Sequence, residues 1–311
     1  MLKKKALRKI IITTFVAFVV FSIYMIPTKN KSSNINTLYN YTKVKDISVY
    51  LLNPYEQLTK VDFKIKDSNL DEVVKSIIDK LTISNDATIP NRFSQVIPSD
   101  VKLNKVLIDE NIACLDFSSE FLNISKDNIE MIVEAISYSL FELNEINGVS
   151  IYVDEENIAN IYPTLFPSTI TKKYGINKRS EITSFNEISS VVVYYLDSDD
   201  ENKYYVPITK YVNDPRDKIK IIIDELSSNY VYESNLISLL DKNTKLLNYE
   251  IQNDSMILDF TNSIFLDQKE ILEEVVYSIS YSVFANYDVS SVVFKVNGEE
   301  YAKNVKKILN N

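Results

Sequence analysis

Two aspartates, Asp116 and Asp259, stand in the same local text, "LDF", 143 residues apart. A pair of carboxylates flanking one bond is the machinery of glycoside hydrolysis, one acid protonating the leaving group while the other attacks or activates water. The same placement also has a purely structural reading. An acid at a strand end accepts backbone N–H bonds in the turn before the following helix, a local role that suits aspartate. Duplication copies either kind of residue, and the structural reading is the one adopted, with the two acids kept as alternative site candidates. Ser118 and Glu120 lie beside Asp116, but "DFSSEF" has no elbow glycines, and no motif positions a histidine or lysine to activate the serine. Cys114 occupies the place that Ile257 takes in the second "LDF" context, so it behaves as a small hydrophobe.

Composition removes further chemistries. The chain has no histidine, no tryptophan and one cysteine, which excludes imidazole catalysis, His/Cys zinc sites and an intramolecular disulfide. The acidic run "DSDDEN" at 197–202 lacks the glycine and distal glutamate of a calcium loop, so Asp197 and Asp199 read as a solvated acidic turn. Tyrosine is abundant at 21 residues, and most of it falls in strand-like runs. Tyr230 and Tyr232, in the loop text "SSNYVYESN", have no core to serve and are interaction candidates together with the acidic turn. The first nine residues carry +5 of a net −9, leaving −14 on the remainder, which repels nucleic-acid phosphates. No catalytic activity, cofactor, metal or nucleic-acid partner is expected.

The elements that carry these residues come in duplicate. "ISYSLF" at 136–141 returns as "ISYSVF" at 279–284, and its surroundings return in the same order. Strand-like "ISVYLL" (47–52) matches "VVVYYL" (191–196). "LDEVVKSIIDKL" (70–81) matches "DPRDKIKIIIDEL" (214–226), both with apolar residues at helical spacing, the second opening on an Asp214–Pro215 cap and first turn. Hairpins follow at 103–117 and 246–260, turning at "DEN" and "QNDS". Helices at 128–143 and 268–285 and strands at 149–153 and 292–296 close the two units. Ile136, Leu140 and Val133 share one helical face, and the serines of the repeated phrase let that helix approach a sheet closely. The spacing is 143 for the hairpin aspartate, the second helix and the last strand, so the chain is a tandem duplication of a domain of ordinary size.

Ahead of the repeat, the basic start leads into 17 uncharged, mainly apolar residues at 10–26, near the lower limit for spanning a hydrocarbon core of roughly 30 Å. No small-residue cleavage site and no lipid-acceptor cysteine follow, so the segment reads as an uncleaved transmembrane signal anchor with its basic end cytoplasmic. The expected organisation is a cytoplasmic tail (1–9), the anchor (10–26), a linker (27–45), a first domain (46–156), an inter-domain linker (157–187), a second domain (188–300) and a C-terminal tail (301–311). The fold class is α/β in the α+β sense: two tandem similar domains, each a small mixed sheet packed by two helices.

This order, with "IPSDVKLNKVLIDENIACLDFS" (97–118), "AISYSLF" and "VSIYVD" in the first copy and "LDFT", "SISYSVF" and "VVFKVNG" in the second, resembles the GerM family of sporulation and germination proteins with tandem GerMN domains. The resemblance implies a ring-building-motif-like domain and a structural role in an endospore former, at the membranes between mother cell and forespore, in cortex formation or germination. It implies other sporulation membrane or channel proteins as partners. A head-to-tail contact between the two copies, repeated between chains, would make a ring or filament, so a homo-oligomer is an expectation. Two features depart from the pattern: the chain lacks the lipid-acceptor cysteine frequent in the family, and "SLLDKN" (238–243) replaces "QVIPSD" (95–100) before the second hairpin.

Overall fold

A computed structural model describes residues 44–66, 68–184, 186–198, 202–228, 236–265 and 270–306, together with Lys9, residues 13–18 and Phe21 near the N-terminus. Residues 13–18 are helical and exposed, and among the described residues no helix is long and apolar enough to cross a membrane. The rest of the expected anchor at 10–26 lies outside the described residues.

Each copy opens on a long antiparallel hairpin. In the first, β1 (Val44–Leu52) pairs with β2 (Leu58–Lys66) along its whole length. Val61, Phe63 and Ile65 of β2 point inward while Asp62, Lys64 and Lys66 point to water, the two-residue period of a half-buried strand. Then comes α1 (Leu70–Leu81), over the expected span, capped by Asn69, whose side chain accepts from the Glu72 backbone N–H. The hairpin β3 (Leu103–Asp109) and β4 (Ile112–Phe117) turns at Glu110 and Asn111, whose φ values of 45° and 66° match the right-handed strand twist. Next, α2 (Lys126–Leu140) crosses over to β5 (Gly148–Val153), which lies parallel to β4, a pairing that needs such a crossover. A short β6 (Glu156–Asn157) and helical turn α3 (Ile158–Ile161) end this part.

After β7 (Arg179–Ser180), the second copy repeats the plan: hairpin β8 (Ser189–Ser198) and β9 (Lys203–Val212), α4 (Lys218–Ser227), hairpin β10 (Leu246–Gln252) and β11 (Ser255–Phe260), α5 (Glu273–Asn286), then β12 (Ser291–Val296) and β13 (Glu299–Val305). The second strand of each opening hairpin, β2 and β9, is additional to the expected order. The two outer sheets run β3-β4-β5-β6 and β10-β11-β12-β13, and a five-stranded sheet between them joins β1-β2 to β9, which also carries β8 and β7. Each copy has its own apolar core.

Three expectations change. Helix α4 starts at Lys218 with Asp217 at its N-cap, because the Asp214 carboxylate is held by the Arg216 backbone and guanidinium at 2.7–3.1 Å. The segment between the repeats, read as a linker, is packed: Phe166, Ile170 and Ile176 are buried in the first core, and Ile170 bridges to Val149. The C-terminal tail contributes β13, which pairs with β12 through Val305.

The repeated phrase acts as a clamp between helix and sheet. Ser139 Oγ donates to Ala135 O at 2.6 Å and accepts from Tyr50 N at 2.9 Å; Ser282 Oγ likewise donates to Ser278 O at 2.7 Å and accepts from Tyr194 N at 2.9 Å. The other serine of each phrase, Ser137 and Ser280, is fully buried with no hydrogen-bond partner. Its small size matters at a close helix–sheet approach, and its hydroxyl adds nothing.

Candidate functional site

The two aspartates are not brought together. Asp116 lies on β4 and Asp259 on β11, in separate outer sheets. Asp116 Oδ1 accepts from Glu155 N at 2.9 Å, and Asp259 Oδ1 accepts from Gly298 N at 3.0 Å. The parallel neighbour explains the geometry: Asp116 stands opposite Tyr152 and Asp259 opposite Lys295, so each carboxylate reaches the tight turn just beyond the neighbouring strand. The turn residues have positive φ, 49° and 68° at Asp154 and Glu155 and 50° and 87° at Asn297 and Gly298, and the aspartate fixes one of their N–H groups. The acid therefore ties the turn after the last parallel strand, 39 residues downstream, and not the turn before the helix. Ser118 accepts from Lys102 N at 3.0 Å, and a hydrogen bond from Ser118 holds the half-buried Glu120 carboxyl below its ordinary range. Burial, followed by the nearby Asp109 charge, raises the Cys114 thiol, which keeps it protonated and unreactive near neutral pH.

Asp197 requires correction. It is 1% exposed, not a solvated turn residue, because it ends β8 against the first copy: Arg92 pairs with one carboxylate oxygen and Asn53 Nδ2 donates to the other at 3.1 Å. Asp199, Tyr230 and Tyr232 lie outside the described residues.

Asn53 is itself the counterpart of Asp197, 144 residues earlier, and this relation runs through the contact between copies. Tyr50 and Tyr194, also 144 apart, meet hydroxyl to hydroxyl at 2.8 Å. The opening hairpins join where β2 meets β9 antiparallel, Lys60 opposite Tyr205. Hairpin register makes Leu58 the counterpart of Tyr205 and Lys60 that of Pro207. Leu58 and Pro207 are bridged by Asn177 Nδ2, which donates to both carbonyls at 2.8 Å, while Asn177 Oδ1 accepts from Leu58 N at 2.9 Å. Like patches thus meet like patches about a local two-fold. The contact is isologous and closed within the chain, which overturns the head-to-tail expectation: repeating it between chains builds no ring or filament.

The two-fold is broken in charge. On the first-copy side, Lys60 Nζ lies 2.6 Å from Glu142 Oε2, and Glu142 Oε1 accepts from the Tyr50 hydroxyl at 2.8 Å. Pro207 and Ala285 stand at the equivalent places of the second copy. Burial opposes charge on both partners, yet the Lys60 charge and hydrogen bonds from Lys60 and Tyr50 leave the Glu142 carboxyl below its ordinary range, and the Glu142 charge leaves Lys60 above its own. Lys60 also sits 4.9 Å over the Tyr281 ring. Beside this pair lies a cleft of about 260 Å³ between the copies, lined by Lys60, Glu142, Tyr194, Tyr277 and Tyr281 among others. Neither Asp116 nor Asp259 lines it. Sequence reasoning missed this site. The signals available to it were the 144-residue spacing of Tyr50 and Tyr194 and the departure from repeat symmetry at Glu142.

Two small α+β domains of one plan, fused through a shared central sheet, define the class. A family model described as Germane, sporulation and spore germination, matches residues 48–159 and 192–302, and the chain belongs to that family. It is 31% identical over 229 residues to the spore germination protein GerM of Bacillus subtilis (strain 168), a match covering 70% of this chain and 62% of that relative. The fold is similar to the solved tandem GerMN domains of the sporulation protein GerM from Bacillus subtilis, with a TM-score of 0.75 and 25% identity over 86% of this chain and 99% of that one.

Proposed function

We propose that the protein is a non-catalytic, membrane-anchored scaffold of endospore formation and germination, and that it docks its partners on the outer edges of its two outer sheets. Family membership supports the sporulation and germination setting. The observation that carries the docking reading is the pair of equivalent edge strands. Among the described residues, β3 pairs only with β4 and β10 only with β11, leaving two seven-residue edges with open backbone groups. Leu107 on β3 and Leu247 and Ile251 on β10 are 51%, 54% and 58% exposed. Such edges are templates for strand addition, and apolar side chains on them add contact area. With the two-fold contact consumed inside the chain, the edges remain as the duplicated surface.

The basic start and the apolar run at 10–26 support a retained anchor, which would hold the body on the extracytoplasmic side, beside channel or cortex machinery. The engagement of each aspartate with its own turn supports a non-catalytic body. Cross-linking in sporulating cells, with partner identification, tests the reading. Leu107→Lys and Leu247→Lys should remove membrane-protein partners while leaving the melting temperature within a few degrees of the parent. Undiminished recovery of the same partners by the double variant would overturn the edge assignment. Membrane fractionation should find the full-length chain, whereas soluble protein beginning near Asn30 would show a cleaved signal.

A further inference from the structure

The cleft between the copies has a basic rim that the fold does not use. Lys172, from the packed segment after the first copy, and Lys306, at the end of β13, both line it. Among the described residues neither ammonium group has a carboxylate within ion-pair distance, although the chain as a whole is acidic at −9. Glu142, the nearest acid of the cleft floor, is already held by Lys60 and Tyr50. Asp46 and Asp62 line the opening strands' side of the cleft, with Asp62 accepting from Ser48 Oγ at 2.7 Å. Burial and then the Lys306 charge lower Lys172, and the Glu142 and Asp288 charges, which act the other way, do not reverse this. The cleft also has an aromatic wall: Tyr277 and Tyr281 stack at 5.7 Å and 17°, and Tyr281 packs edge-on to Tyr205 and under Lys60. A concave site with an aromatic wall, a few fixed polar groups and two neighbouring lysines outside any ion pair is suited to a flat or sugar-like ring bearing an anion.

We propose that this cleft binds a small ring compound carrying a carboxylate or phosphate, the ring against Tyr277 and the anion between Lys172 and Lys306. The cleft volume of about 260 Å³ suits a single substituted ring. Asp46 and Asp62 disfavour a second anion on the far side, which makes the site selective for one charged end. The site is separate from the outer edges, so it stands whether or not those edges dock partners.

The test is calorimetric titration of the full-length chain in detergent with three probes that share a ring: N-acetylmuramic acid, N-acetylglucosamine 6-phosphate and N-acetylglucosamine. At least one anionic sugar should bind at least tenfold more tightly than the neutral one, with affinity falling as salt rises; which of the two binds distinguishes a carboxylate from a phosphate ligand. Lys172→Gln with Lys306→Gln should weaken that binding at least tenfold without lowering the melting temperature, since both side chains lie at the rim. Ala285→Trp, which fills the cleft from the second-copy side, should abolish it. Equal binding of the neutral sugar, unchanged affinity in the lysine double variant, or no binding of any probe at millimolar concentration would each overturn the proposal.

Discussion

Replacing Lys60 by methionine should destabilise the junction between the copies. Lys60 and Glu142 are 15% and 25% exposed and 2.6 Å apart, and Glu142 also accepts from Tyr50, which in turn meets Tyr194 across the local two-fold. Removing one partner of a buried ion pair costs about 3–5 kcal/mol, chiefly because the remaining charge is left uncompensated. Partial exposure of the pair and the surviving Tyr50 bond put this case near the lower end, about 3 kcal/mol. At roughly 2–4 °C per kcal/mol for a chain of this class, the melting temperature should fall by roughly 6–12 °C. The double change Lys60→Met with Glu142→Leu should recover most of that, because well-packed apolar replacements of buried pairs are often close to neutral. The second copy is an internal control: it folds with Pro207 and Ala285 at the equivalent positions. Urea and thermal unfolding of the two single variants and the double variant give the coupling energy, expected to exceed about 2 kcal/mol. A Lys60→Met cost below about 1 kcal/mol, simply additive with Glu142→Leu, would refute the argument.

The same pair sets a pH dependence: Glu142 is depressed in the folded protein, so its stabilisation is complete above the ordinary glutamate titration near ~4.3 and is lost as pH falls through the lower folded value. Acid unfolding followed by circular dichroism should be less steep in the Lys60→Met/Glu142→Leu variant. Ser139→Ala and Ser282→Ala each orphan a buried backbone N–H and should cost about 1–3 kcal/mol, whereas Ser137→Ala and Ser280→Ala remove a hydroxyl without a partner and should be neutral or stabilising in chemical unfolding. Asp116→Asn and Asp259→Asn should each cost on the order of 1 kcal/mol and add independently, since the residues sit in separate sheets; loss of function in cells at unchanged melting temperature and membrane level would show that the acids do more than tie their turns.

Much of the local structure was legible because it is written in period and repetition. Helix α1, both outer hairpins and the closing parallel strands fall where spacing and turn residues put them, and Val133, Ile136 and Leu140 are buried as their shared helical face requires. The strand β2 was equally legible in its alternation at Val61, Phe63 and Ile65 but belongs to no motif of the duplicated phrase. The segment holding Phe166, Ile170 and Ile176 has no period at all, since it packs as irregular chain. Asp197 misled because an acidic run reads as solvated, whereas its environment is set by Arg92 and Asn53, 105 and 144 residues away. Strand pairing between β2 and β9 is a backbone event, and side-chain pattern does not say which free edge finds which.

The central claim is that the closed contact between copies leaves the outer edges β3 and β10 to do the assembling. A photo-cross-linking amino acid placed at Leu107, at Leu247 and, as a control, at the exposed Lys75 of α1 tests it in sporulating cells. The account predicts adducts with a membrane or channel protein from positions 107 and 247 and none from position 75. Adducts confined to position 75, or a fully functional protein that yields none from either edge, would contradict it.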